Sequence, residues 1–519
     1  MPGNDVIREI VIVGGGSAGW LTAAVLAAAH RPDARGGLRI TVVESPDVPT
    51  IGVGEGTWPT MRDTLRGIGV SESEFFRACE ASFKQGSEFR GWVTGADDDR
   101  YFHPFVLPHG YTQANLVAGW LERHPERPFA PLVSFQPHLC ARSRAPKQAT
   151  TPEFAAVANY AYHLDAGRFG EFLRTHCVER LGVQHVVDHV ASVTSAENGD
   201  IAAVELATRG TLAGDLFVDC TGMKSLLLGG HFGVGSIDQK HVLFNDRALA
   251  MQVPYADQQS EIASHTISTA QRSGWIWDIG LPSRRGIGHV YSSAHTDDEA
   301  AEAELLTYVR RSDGPTDLPS PRKLSFRPGY RERFWHRNCV AIGLSAGFIE
   351  PLEASAIALV ELSAAMLSDQ MPVTRADMDG VARRFNDSFR YRWERVIDFL
   401  KLHYVLTRRT DTPFWRDHLR AESIPERLQE LLALWRYRPP SRYDLVRVDE
   451  VFPSASYQYI LYGMGFRPDP SARRARLDEL DSAEGYFREA ADLTCRMLAG
   501  LPGHRELITH ITRHGLPRI

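Results

Sequence analysis

Four apolar residues in a row, Ile10-Val11-Ile12-Val13, run into three glycines; small and apolar side chains then continue to Ala29, and a second mainly apolar run, Ile40-Thr41-Val42-Val43, follows a polar break. Short apolar runs bounded by turn residues are the pattern of buried strands, and the stretch between them has the length of a helix. Strand, helix and strand in that order predict a βαβ unit over residues 7–44. A parallel sheet follows, because parallel neighbours need a crossover between them. A glycine-rich strap is expected over residues 49–61, a helix over 71–80 and an alternating, extended segment over 83–92. From about residue 352 the pattern turns mainly helical, as expected of a helical layer on a sheet-based domain. Polar, proline-containing stretches at 143–152, 311–322 and 439–441 predict loops.

At 519 residues the chain is too long for one ordinary core. The expected division is a dinucleotide-binding domain over 1–365, carrying a substrate-side insertion at about 93–160, and a mainly helical substrate-binding region over 366–519. A net charge of −6 without long charge runs gives no basic footprint for nucleic acid and points to small-molecule chemistry. No segment reads as a membrane span, and the opening Met-Pro-Gly-Asn-Asp leads into a strand without the features of a secretory signal, so a cytoplasmic location is expected. Cys79, Cys140, Cys177, Cys220, Cys339 and Cys495 are widely scattered and read as reduced, buried, inert thiols.

Gly14-Gly15-Gly16-Ser17-Ala18-Gly19 places the GxGxxG spacing directly after a strand and at the opening of a helix. Gly14 allows the tight turn, Gly16 lets backbone approach a pyrophosphate, and Gly19 lets helix and strand pack closely; the helix start, with Ser17 and Ala18, offers N–H groups to the anion. Glu44 closes the second strand where an acid can bind an adenosine ribose. These features predict a dinucleotide site. Asp215-Leu216-Phe217-Val218-Asp219-Cys220-Thr221-Gly222 resembles the later flavin-contacting strand of FAD-dependent monooxygenases, which favours FAD over NAD. The expected fold class is therefore α/β, an FAD-binding Rossmann-like domain of the GR2-type monooxygenase kind with a mainly helical substrate side. A second GxGxxG in a βαβ context is not seen, so FADH2 is expected to come from a separate NAD(P)H-dependent flavin reductase.

Gly274-Trp275-Ile276-Trp277-Asp278-Ile279 puts two tryptophans on one face of an extended segment. Alone, such a pair is most often core packing. Here it resembles the WxWxIP signature of flavin-dependent tryptophan halogenases, with Gly280 in place of the proline, a change expected to loosen the turn. Further stretches resemble the same family in the same order. They are Ile51-Gly52-Val53-Gly54-Glu55-Gly56-Thr57, Phe83-Lys84-Gln85-Gly86, Gly347-Phe348-Ile349-Glu350-Pro351-Leu352-Glu353, and His403-Tyr404 through Pro413-Phe414-Trp415. The resemblance extends the FAD contacts to Gly54, Glu55, Gly56, Asp219, Gly222 and Leu344.

It also implies a reaction. Reduced FAD and O2 oxidise chloride or bromide to hypohalous acid, which moves to a separate pocket and halogenates an electron-rich ring. By resemblance Lys84 directs the hypohalous acid and Glu353 is its carboxylate partner, accepting the ring proton. Both side chains would have to meet in one cavity. Lys84 lies on the strand face opposite Phe83 and Phe89, and Glu353 is expected at the start of a helix over 352–366. Ser355 and Ala356 occupy the positions whose amides receive halide, and Trp275 and Trp277 form a wall between flavin and substrate. The family's Glu-Ser-Thr-Gly is Glu353-Ala354-Ser355-Ala356 here, so the hydroxyl at position 354 is lost.

His103, Pro104 and Phe105 resemble the part of the family pocket that stacks on the substrate, and Tyr457 stands where tryptophan-specific members often have tryptophan. The cluster that clasps free tryptophan is not reproduced around Tyr443, Asp444 and Glu450, which leaves indole, a substituted indole or a tryptophan within a larger molecule. A homodimer is left open. His185 and His189 would share a strand face and read as structural, with no metal site. A hydroxylating flavin monooxygenase is the rival enzyme, and a lapsed FAD-binding scaffold the rival from another class.

Overall fold

The computed structural model describes residues 6–31, 36–48, 54–312, 314–315, 318–447, 449–469 and 477–518. Two compact units interleave along the sequence: 1–80, 164–239 and 326–393 form the first, and 81–163, 240–325 and 394–519 the second. The region 366–519, expected as one helical layer, is thus divided at residue 393 within the long helix Arg375–Val405.

The first unit is built on a six-stranded sheet. Its order is Trp335–His336, Cys339–Ala341, Leu216–Asp219, Glu9–Val13, Arg39–Glu44 and Gln184–Val187, parallel throughout except at the Trp335–His336 edge. The predicted βαβ unit is present, with the helix Ser17–Ala29 between its two strands. That helix is buried along most of its length, against the helices Ala166–Arg180 and Ser355–Asp369. This explains its mainly apolar composition, since a helix with partners on several sides carries no polar stripe.

The second unit centres on a seven-stranded sheet. Its order is Arg322–Ser325, Arg247–Pro254, Arg284–Tyr291, Gly274–Gly280, Thr266–Ala270, Gly86–Arg90 and Arg100–Pro104. Only the pairing of Thr266–Ala270 with Gly86–Arg90 is parallel. Gly274–Gly280 is buried on both faces, which is why Ile276 stands on the face opposite Trp275 and Trp277 where a half-exposed strand would carry an exposed polar residue.

Several expectations are corrected. The extended stretch 83–92 is two strands, Ser82–Lys84 and Gly86–Arg90, with different partners: Ser82–Lys84 pairs with residues 161–163. Face alternation therefore does not carry through Gln85. His185 lies on the strand Gln184–Val187, but that strand ends before His189, whose amide donates to the Asp188 carboxylate at 2.8 Å; the two histidines do not share a strand. Cys495 is exposed and Cys220 half-buried, so not all six thiols are buried. No described helix is long and apolar enough to cross a membrane.

Candidate functional site

The glycine turn of the first unit is crowded on one side and open on the other. Gly14 has φ +116°, and a Cβ there would stand 2.2 Å from the Cys220 carbonyl oxygen; on Gly19 it would stand 1.9 Å from the Gly14 oxygen. Neither contact tolerates a side chain. A Cβ on Gly16 would meet nothing within 4 Å. Gly16 is also the N-cap of Ser17–Ala29, and no side chain caps that terminus. Open backbone beside uncapped helix-start donors is what a pyrophosphate needs, so these residues fit a dinucleotide.

Two further segments join this turn. Cys220 N donates to Val13 O at 2.8 Å, and Gly222, at φ +70°, also has open space where a side chain would be. Gly343, at φ +77°, would put a Cβ 2.7 Å from that of Ala18, which draws the turn Gly343–Ser345, with half-buried Leu344, against the helix start. Asp219 is fully buried. Its carboxylate accepts from Thr221 N and Oγ1, Ser225 Oγ, Leu227 N and Leu228 N, all within 3.1 Å. Its acceptor capacity thus serves its own turn.

Glu44 is half-buried and lies over Gly15, and its Oε2 pairs with His185 Nε2 at 2.8 Å. The His185 ring in turn meets Trp20 edge-on at 5.0 Å. Of the strap, Ile51, Gly52 and Val53 lie outside the described residues. Gly54 is buried with φ +155°, and the strand Glu55–Gly56 follows; burial pushes the Glu55 carboxyl up to about 7.

The α-helix after the glutamate turn starts at Ser355, three residues later than expected. Glu353 and Ala354 instead take left-handed conformations, φ +63° and +56°, which few non-glycine residues adopt. Glu353 is only 6% exposed, and its carbonyl accepts from Trp58 Nε1 at 2.8 Å. Ser355 and half-buried Ala356 open the helix, and no side chain caps it. Trp58 has no pattern of its own in the sequence. Neither has Glu361 on the same helix, which burial lifts to about 8 although Thr64 Oγ1 donates to it at 2.7 Å.

In the second unit Lys84 is 1% exposed, and its Nζ stands 5.4 Å from the centre of the Phe105 ring. Phe105 is tied to the lysine's neighbour, its N donating to Gln85 O at 3.2 Å. The structure therefore brings Phe105 to Lys84. His103 and Tyr457 meet elsewhere, around Phe399, at 5.6 and 4.9 Å between ring centres. Phe399 also stacks on Phe452 at 3.8 Å, and His103 Nε2 bonds Ser456 Oγ at 2.9 Å. Phe399, Phe452 and Ser456 were not evident in the sequence, because aromatic residues are frequent throughout that stretch. Pro104 ends its strand opposite Gly86. Asp444 is used locally, accepting from Trp435 Nε1 at 3.1 Å and from Arg438, while Tyr443 is 78% exposed.

Trp275 and Trp277 lie on one strand with ring centres 6.4 Å apart, and both are buried. Behind Trp275 stands Trp92 at 6.2 Å, which itself contacts His403, Tyr404 and Trp415. The His403-to-Trp415 motif is thus the aromatic backing of this strand. Gly280 does not loosen the turn as expected, for it pairs with Arg285, and a Cβ on it would stand 2.8 Å from Ile262 Cγ2.

The sequence matches the family model for tryptophan halogenases over residues 9–479. The chain belongs to the flavin-dependent tryptophan halogenase family. Among curated members of this halogenase family, the chain is 32% identical to tryptophan 7-halogenase RebH of Lentzea aerocolonigenes, with 98% of this chain and 99% of that protein covered. Of solved halogenase structures, a tryptophan halogenase from Shewanella frigidimarina NCIMB 400 is 46% identical with a TM-score of 0.94, covering 99% of each chain. BrvH, a flavin-dependent halogenase from Brevundimonas sp. BAL3, is 37% identical with a TM-score of 0.84, covering 98% of this chain and all of that one. The protein is an enzyme of this halogenase family, and the rival hydroxylase reading is not favoured.

Proposed function

We propose that the protein halogenates an electron-rich aromatic of the indole class, using a Lys84/Glu353 pair. The burial of Lys84 beside an aromatic face is the observation that carries this reading. An ammonium held out of water against Phe105 has strengthened electrostatics and a ring at hand to define a pocket. Gly14, Gly16, Ser17, Ala18, Gly19, Glu44, Gly54, Glu55, Gly56, Gly222 and Leu344 would hold FAD, with Asp219 shaping the turn that carries Gly222. Bound and reduced, FAD supplies with O2 the oxidising power that turns chloride or bromide into hypohalous acid. The amides of Ser355 and Ala356 receive the halide, a role that survives the change at Ala354 because backbone donors do not depend on the side chain.

Lys84 donates a hydrogen bond to the hypohalous oxygen, which makes the halogen more electrophilic and fixes its direction. The ring carbon–halogen bond forms as the oxygen–halogen bond breaks, the leaving oxygen takes a proton from the Lys84 ammonium and departs as water, and Glu353 takes the proton lost from the ring carbon, which returns to Lys84 before the next turnover. Phe105 and Pro104 bound the substrate beside Lys84, His103 and Tyr457 support the pocket only through their packing on Phe399, and Trp275 and Trp277 separate the substrate from the flavin. Use of Asp444 by its own loop and the exposure of Tyr443 favour an indole without a free amino-acid group. A separate flavin reductase supplies FADH2, and the unpaired cysteines support a cytoplasmic location. The test is incubation with FAD, a flavin reductase, NADH and bromide against a panel of indoles. Monobrominated products support the reading; oxygenated products formed without halide overturn it.

A further inference from the structure

The strand Ser82–Lys84 carries the proposed catalytic lysine, and its two neighbouring amides are held in different ways. Gln85 N donates directly to Ser264 O at 2.7 Å. Two residues earlier on each segment, Phe83 N and Ile262 O do not bond each other; an imidazole bridges them. His504 Nε2 accepts from Phe83 N at 3.0 Å, and His504 Nδ1 lies 2.9 Å from Ile262 O. An amide nitrogen can only donate and a carbonyl can only accept, so the two bonds fix one tautomer, with Nδ1 protonated and Nε2 bare. The ring is fully buried and also faces Phe83 at 5.9 Å.

His504 opens the last described helix, His504–His514, which lies beyond the span of the family match. That helix start is fastened from several directions. Arg144 and Gly503 form an antiparallel bridge, His504 N donates to Ser143 O at 2.8 Å, and Arg505 Nη1 donates to Pro282 O at 3.0 Å. The lysine strand is fastened to the same neighbourhood: Ser82 Oγ donates to Gly280 O at 2.6 Å and Gln85 Nε2 to Arg144 O at 2.7 Å. A wedge inserted at Phe83 and withdrawn at Gln85 makes Ser82–Lys84 diverge from the 262–264 segment, and it leaves Lys84 between the spread end and the closed end.

From this arrangement we infer that His504 is a positioning residue for the reaction. It inserts as a neutral hydrogen-bond bridge between Phe83 and Ile262 and so sets the direction in which Lys84 presents its ammonium. The inference rests on the reading of Lys84 as the residue that directs hypohalous acid. It requires no change in how the oxidant is made, only in how it is delivered.

The experiment compares His504→Gln with His504→Met. The glutamine amide can accept from Phe83 and donate to Ile262 O; methionine fills similar volume and does neither. Bromination of indole and the free oxidant captured by a dimedone scavenger are measured per NADH consumed, alongside hydrogen exchange of the segment 82–85 without cofactor. For His504→Met the expected result is faster exchange and a ratio of brominated product to captured oxidant lowered on the order of ten- to a hundredfold. His504→Gln should recover most of that ratio. Equal behaviour of the two variants, or a parallel fall of product and captured oxidant, overturns the inference. A Lys84→Met control separates the two ideas: a wild-type ratio there removes the lysine reading itself, whereas a collapsed ratio with normal His504→Met removes only the role of His504.

Discussion

Trp277 occupies the space that a side chain on Gly288 would need. A Cβ on Gly288 would stand 2.2 Å from Trp277 Cζ2 and Cη2, and 2.5 Å from Leu249 O, and the two residues are register partners on adjacent strands. The large residue of the proposed wall is seated because its neighbour is the smallest one. Gly288→Ala should therefore destabilise the protein by about 1–3 kcal/mol through overpacking, read as a lower denaturant midpoint. Trp277→Phe in the Gly288→Ala background should return part of that loss. Additive effects in the double-mutant cycle would show that the two residues do not compete for space.

The glycine turn separates folding from cofactor binding. Gly19→Ala collides with Gly14 O and should lower both the melting temperature and FAD affinity. Gly16→Val meets open space, so the melting temperature of the cofactor-free protein should fall little while the Kd for FAD rises at least about tenfold, if pyrophosphate approaches there. Flavin fluorescence titration and thermal melts of the two variants check this.

Lys84→Ala should lower indole bromination by about a hundredfold or more with FAD affinity unchanged, and Glu353→Gln by a similar or smaller factor. Product quantification by mass spectrometry and flavin titration are the readouts. Unchanged turnover in Lys84→Ala removes it from the mechanism.

His504 and His289 are buried and held neutral by burial, each pushed down from 6.5 to about 4, with His289 Nδ1 bonded to Ala301 O at 3.0 Å. The folded state binds these protons more weakly than the unfolded chain does. Their contribution to stability is therefore complete above about pH 6.5 and is lost progressively as pH falls toward about 4. Urea midpoints across that window should drop with acid, and the drop should be shallower in His504→Gln.

Restoring the family's proline, Gly280→Pro, should destabilise the protein, because Ile262 Cγ2 lies 2.8 Å from the position of the new Cβ and Tyr255 OH 3.1 Å. Pairing it with Ile262→Ala should relieve part of the cost, measured by the same denaturation assay.

The βαβ unit was legible because apolar runs, glycine spacing and an acid at the strand end repeat one constraint several times over. The Trp275/Trp277 strand was legible for a different reason, since two large residues in alternation define a face. The left-handed pair at Glu353 and Ala354 was not: neither is glycine or asparagine, so local preference pointed to an earlier helix start. The break at Gln85 was hidden as well, because two successive strands with different partners look like one alternating run. His504 was invisible for a third reason. Its partners, Phe83 and Ile262, lie hundreds of positions away, and what it recognises in them is backbone, which leaves no trace in residue identity.

The five donors gathered by the Asp219 carboxylate, from Thr221 to Leu228, give the turn that carries Gly222 its shape from within the protein. That shape needs no nucleotide to form it. Ordering of this segment is completed during folding, so affinity for the dinucleotide is not reduced by an entropy cost at this turn, and a calorimetric titration should show no folding-sized heat capacity change from it.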